Sequence, residues 1–100
     1  MPPFIVAPEA EEDLFQIWLY LLREAGRDTA DRVEDEILEA FQGLAGAPGK
    51  GHRRSDLTER DVFFYALYQY MVVYRVGTPL QILAVLHSKR NMKRILRRRL

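Results

Sequence analysis

The residues whose types could do chemistry stand at the ends of apolar runs and in one polar loop. His87 closes "LQILAVLH", Arg75 follows "YMVVY", and His52, Arg53, Arg54 and Glu59 fall within "GHRRSDLTER". RNA cleavage needs a base for the 2′-hydroxyl proton, an acid for the leaving group and cations around the pentavalent phosphate. These residue types would supply such a set if the fold brought them together. Other chemistries have less to work with. The chain has no cysteine, which removes thiolate nucleophiles and Cys-based zinc sites. His52 and His87 lie in different segments with no His-x-x-x-His pair, so no metal site and no cofactor is predicted. Ser55 and Ser88 are the only serines, and neither stands in a Gly-x-Ser-x-Gly turn. "GAPGKG" holds glycines and a lysine but follows a helix rather than a strand, which makes it a linker rather than a phosphate cradle. Nothing in the residues calls for a small-molecule substrate. Tyr65, Tyr68, Tyr70 and Tyr74 have strand spacing, which suits packing better than base stacking.

Charge separates along the chain. Residues 1–50 hold four Lys/Arg against eleven acids, a balance of −7, and residues 51–100 hold eleven against three, a balance of +8. The excess concentrates in "SKRNMKRILRRRL", where Lys89, Arg90, Lys93, Arg94, Arg97, Arg98 and Arg99 account for seven of thirteen residues. Such a tail suits an anionic partner, either nucleic acid or an acidic protein. No apolar run approaches the ~20 residues that span a bilayer, and the N-terminus lacks the basic start of a signal peptide. A cytoplasmic protein is expected.

These candidates must be positioned by a single domain of one hundred residues. "PFIVA" is β-rich and Pro8 ends it. Pro8 and the acids after it suit a helix N-terminus, and Leu14, Ile17, Trp18, Leu21 and Leu22 recur at helical spacing, which predicts a helix over 9–25 with Gly26 as its cap. After about three joining residues, Asp28 caps a second helix whose stripe is Ala30, Val33, Ile37, Ala40, Phe41 and Leu44. Residues 45–61 form a loop. Strands are predicted at 62–67, 70–76 and 80–87, joined by short turns into an antiparallel meander. The tail forms a short helix with Met92, Ile95, Leu96 and Leu100 on one side. The order β-α-α-β-β-β-α gives an α+β fold, with a helix hairpin packed on an antiparallel sheet and a short basic C-terminal helix.

Register tests the chemistry. If Val76 pairs with Leu80, Arg75 faces Gln81 and His87 faces Gln69. Arg75 and His87 then share a sheet face but lie six residues apart, about 20 Å at ~3.3 Å per residue. They cannot serve one phosphate.

The order of elements and four strings resemble one family. "APEAEEDLFQIWLYL" opens the first helix, "GHRRSDL" lies in the loop, "YMVVYRV" is the middle strand, and "ILAVLHSKRN" resembles a family ending in which Asn91 replaces the usual Asp. The chain resembles the ParE branch of the RelE/ParE superfamily of bacterial toxins, essentially end to end. That resemblance implies the toxin of a type II toxin–antitoxin module, an inhibitor of DNA gyrase held in a hetero-oligomer by a ParD-like antitoxin. It implies no enzymatic activity. One alternative is a ribosome-dependent mRNA endoribonuclease of the RelE type using His87 and Arg90. However, Met71 stands where that branch carries an arginine, and no tyrosine follows His87. A second alternative is a non-toxic nucleic-acid-binding domain. Residues expected to contact a partner are Arg90, Lys93, Arg94, Arg97 and Arg98 on the basic face. Trp18 and Leu22 join them if they stay exposed, as would Phe41 on the second helix.

Overall fold

The computed structural model describes residues 2–100. In chain order the elements are β1 (Phe4–Val6), α1 (Pro8–Ala25), α2 (Arg27–Gly46), a short 3₁₀ turn (Pro48–Lys50), β2 (Phe63–Leu67), β3 (Tyr70–Arg75), β4 (Leu80–His87) and α3 (Met92–Arg99). Pro8 sits in the first turn of α1 with Glu9 and Glu11, where a missing N–H costs nothing and negative charge meets the positive end of the dipole. Gly26 alone joins the two helices. Its φ of 93° is open to glycine and strained for other residues. In that conformation its N–H reaches the carbonyls of Leu21 and Leu22, and its own carbonyl accepts from Ala30. One residue therefore ends α1 and begins α2. The expected three-residue joint is shorter, and Asp28 lies inside the first turn of α2 without capping it.

The sheet order is β1-β4-β3-β2. β2, β3 and β4 form the expected antiparallel meander, but β1 lies parallel to β4. The sheet is therefore mixed rather than antiparallel. The helix hairpin carries the chain from the top of β1 back to the far side of the meander, and that crossover returns β4 in the direction of β1.

Register shifts once between β3 and β4. Arg75 faces Gln81 and Tyr74 faces Ile82, as expected, but Val73 then faces Ala84 and Tyr70 faces His87. Leu83 is the extra residue of a β-bulge. A side-chain period of two means that one extra residue moves everything beyond it to the other face. Leu80 and Ile82 point into the helix-hairpin side, and beyond the bulge Val85 takes their place there.

Both faces of the sheet are buried. On one, Val72, Tyr74, Ile82 and Val85 pack against Val33, Ile37, Phe41 and Leu44 of α2 and against α1. On the other, Phe64, Val73, Ala84 and Leu86 pack against Val62 and against Met92, Ile95 and Leu96 of α3. Burial on both faces explains why β4 reads as a continuous apolar run rather than an alternating one. Tyr74 also fixes the long loop. Its hydroxyl donates to the Pro48 carbonyl at 2.6 Å and accepts from the Gly51 N–H at 2.9 Å. Any Cβ at Gly51 would overlap that ring. No helix among the described residues is long and apolar enough to cross a membrane.

Candidate functional site

The most constrained polar group is Asp13, the one buried charged side chain among the described residues. It stands on the core-facing side of α1, between Ala10 and Leu14. Its carboxylate accepts two bonds from the Arg99 guanidinium, both 2.7 Å, and a third from the Val85 N–H at 3.0 Å. The Val85 N–H is available because β1 ends at Val6, leaving the outer edge of β4 unpaired beyond Ile82. Asp13 therefore ties α1, the open edge of β4 and the last turn of α3 together. Hydrogen bonding to Asp13 raises the Arg99 pKa further above its ordinary value, so the guanidinium stays charged.

Beside this knot lies a cavity of about 360 Å³ between α1 and the end of the sheet. Gln16, Ile17 and Tyr20 line it from α1, Tyr70, Val85 and His87 from the sheet, and Arg90 from the turn that follows. Tyr70 meets the His87 ring edge-on, with centroids 5.6 Å apart. Burial, with Tyr20 nearby, pushes the Tyr70 phenol up from its ordinary pKa, so this wall is neutral. His87 Nδ1 accepts the backbone N–H of Lys89 at 3.0 Å. A backbone N–H can only donate, so in the neutral ring the proton sits on Nε2. His87 thus offers a donor to its surroundings, with no free lone pair.

The RNA-cleaving set is not assembled. His87 shares a face with its partner Tyr70, and Arg75 points to the opposite face about 16 Å along the strand, at ~3.3 Å per residue. Arg75 reaches only toward Gln81. His52 forms an isolated bridge to Phe64 through its backbone. Arg53 pairs with Asp61 at 2.6 Å and lies over the Phe63 ring. Arg54 holds both oxygens of Asp56, and this contact keeps the Asp56 carboxyl below its usual range. Glu59 is exposed with no ion pair to these groups. No group of three or more His, Asp or Glu among the described residues is placed to hold a metal ion.

The expected partner-binding residues divide. Arg90 lines the cavity. Lys93, Arg94, Arg97 and Arg98 are exposed on α3 and make no ion pair among the described residues. Arg99, counted with them in the basic tail, is instead held by Asp13. Trp18 is half-buried and its Nε1–H donates to Asp31 of α2 at 2.8 Å, which ties the hairpin. Leu22 is also half-buried, and Phe41 is wholly internal. The cavity residues Gln16 and Tyr20 had no distinguishing signal, and Tyr70 stood out only as one of the strand-spaced tyrosines expected to pack. Asp13 did have one: a carboxylate on the apolar stripe of a helix requires a buried partner.

Three comparisons bear on this arrangement. A family model described as the ParE toxin of the type II toxin–antitoxin system parDE matches residues 4–92. The curated protein Toxin ParE1 of Caulobacter vibrioides is 29% identical over 93 residues, covering 93% of this chain and 96% of that protein. A solved chain from the chromosomal ParDE TA system from P. aeruginosa shares the fold with a TM-score of 0.71 at 23% identity, over 84% of this chain and 92% of that one.

Proposed function

Because the chain belongs to the ParE family, the toxins of type II toxin–antitoxin systems, we propose that it inhibits DNA gyrase as a binding protein and is neutralised by a cognate ParD-like antitoxin. The observation that carries this reading is the state of His87. Its Nδ1 is occupied by a backbone donor, so the neutral ring has no free lone pair to act as a general base beside Arg90, and Arg75 lies on the other sheet face. That favours a protein that works by binding over the RelE-type nuclease that His87 and Arg90 would serve.

The cavity beside Asp13 supports an antitoxin contact. Its floor is Ile17, Val85 and Tyr70, its rim carries the His87 donor and the Arg90 cation, and exposed Tyr20 stands at its mouth. An amphipathic segment with an apolar anchor and an acidic neighbour fits those features. Toxin and antitoxin then form a hetero-oligomer in the cytoplasm, where gyrase acts.

The test is a supercoiling assay with purified gyrase and the full chain. Loss of supercoiling with trapped cleavage complexes, reversed by the antitoxin, is the expected result. Unchanged supercoiling together with codon-dependent cleavage of translated mRNA would replace this reading with the nuclease. Growth unaffected by expression would leave a non-toxic binding domain.

A further inference from the structure

The exposed cations of α3 are arranged against the helix's own interest. Lys93 and Arg94 lie in its first turn, where the dipole disfavours positive charge. The pairs Lys93–Arg97 and Arg94–Arg98 are like charges four residues apart, a spacing that destabilises a helix. The dipole accounts for Arg97 and Arg98 in the last turn, but not for these. A separate loop adds Arg60, which meets Lys93 and Arg97 around a cavity of about 220 Å³ floored by Leu57 and Leu96. Neighbouring arginines are already neutralised: Arg53 by Asp61, Arg54 by Asp56 and Arg99 by Asp13. Arg60, Lys93 and Arg97 have no such partner among the described residues. Lys93 is near enough to lower the Asp56 pKa slightly, but Arg54 holds both oxygens of that carboxylate.

The same face lacks what a protein partner would grip. The large exposed apolar residues are Ile5, Phe15, Tyr20, Leu38, Tyr68 and Val76, and none lies on α3 or in the 52–61 loop. Protein interfaces are depleted in lysine and centre on buried aromatic, Met or Arg anchors packed among apolar neighbours, and this face exposes no aromatic or Met side chain beside its cations. Interfaces with DNA are more polar and far more positive, and phosphates need cations rather than apolar anchors. The family match ends at residue 92, so these α3 cations lie beyond it.

We propose that α3 and the Arg60 loop form a docking face for the phosphate backbone of duplex DNA, with Arg60, Lys93 and Arg97 at its centre. The face binds without reading sequence. It is separate from the cavity beside Asp13, and the inference stands whether or not gyrase is the target.

The experiment is fluorescence anisotropy of a labelled 20-base-pair duplex titrated with the full chain at several salt concentrations. Binding is expected at 50 mM salt with little sequence preference, and it weakens steeply as salt rises. The variant R60A/K93A/R97A is expected to bind at least tenfold more weakly, with a log–log salt slope shallower by about 2 to 3. Arg60→Glu, which leaves α3 intact, is expected to weaken binding in the same direction. R23A/R27A/R32A removes equal charge from the helix hairpin and is expected to leave affinity within twofold. Three results would overturn the proposal: no DNA binding at 50 mM salt, equal losses in both triple variants, or preferential binding of poly-glutamate over DNA, which would make this a site for acidic protein.

Discussion

Asp13 carries more of this structure than any other single polar residue. Its carboxylate meets three donors, and removing it leaves the Arg99 guanidinium and the Val85 N–H without partners in a largely buried place. Breaking one side of a buried pair costs more than the pair contributes, because the remaining charge is stranded. Asp13→Ala is expected to cost about 3 kcal/mol, lowering Tm by more than 10 °C at this chain length. In a double-mutant cycle with Arg99→Ala, measured by urea unfolding, the two losses should fall short of additivity by more than about 1 kcal/mol. Tyr74 is the second such residue. Burial holds its phenol above the usual pKa, although the Gly51 N–H bond pulls the other way. A folded-state pKa above the unfolded value gives stability that is fully present below about pH 10 and is lost as pH rises beyond it. Tm measured from pH 8 to pH 11 should therefore fall above pH 10. Tyr74→Phe should lower Tm at pH 8, because the Gly51 N–H loses its acceptor, and should flatten the alkaline decline. Tyr70 and Tyr68 shift the same way, so some decline should persist.

Among the elements, α3 is the one whose sequence and role diverge most. Read alone it is a basic octamer, too short to be helical by itself. In the fold it is half of the second core. Met92, Ile95 and Leu96 cover the face made by Phe64, Val73, Ala84 and Leu86, and Arg99 pins its end. Ending the chain after Asn91 would expose that face and free Asp13. The truncated protein should lose cooperative thermal unfolding and aggregate on heating, so loss of toxicity on truncation would not by itself identify a contact surface. The same element can be probed gently. Leu96→Ala is expected to cost about 2–4 kcal/mol with no change in DNA affinity at temperatures where it stays folded, whereas exposed Lys93→Ala should do the reverse.

Over the whole molecule, two kinds of surface lie apart. Exposed aromatics and a half-open apolar cavity lie on the α1 side, where Tyr20, Ile17 and Tyr70 meet. Unpaired cations without exposed apolar anchors lie on the α3 side. Tyr20→Asp places a charge at the mouth of the cavity without touching the core, since Tyr20 is 58% exposed. It should abolish co-purification with the antitoxin and leave DNA binding within twofold. Equal loss of both activities would mean that the two surfaces act as one.

Much of this was open to reading in the amino-acid order. Helical spacing in Leu14–Leu21 and Val33–Leu44, the proline at position 8, the glycine at 26 and the three apolar strand runs determined the elements and their sequence, because each is a local signal. The order of these elements, with the four strings Ala7–Leu21, Gly51–Leu57, Tyr70–Val76 and Ile82–Asn91, carried the resemblance to the family. The tertiary structure decided what depends on distant partners. β1 joined β4 in parallel, which no local pattern encodes. The bulge at Leu83 turned His87 away from Arg75's face, and a shift of one residue in an apolar run leaves no trace in composition. Arg99 left the basic tail to meet Asp13, 86 positions earlier. Of seven cations in that tail, the fold separates the one that holds α3 in place from those left facing outward. This division is set by which side chains reach a carboxylate, and by nothing in the run of arginines itself.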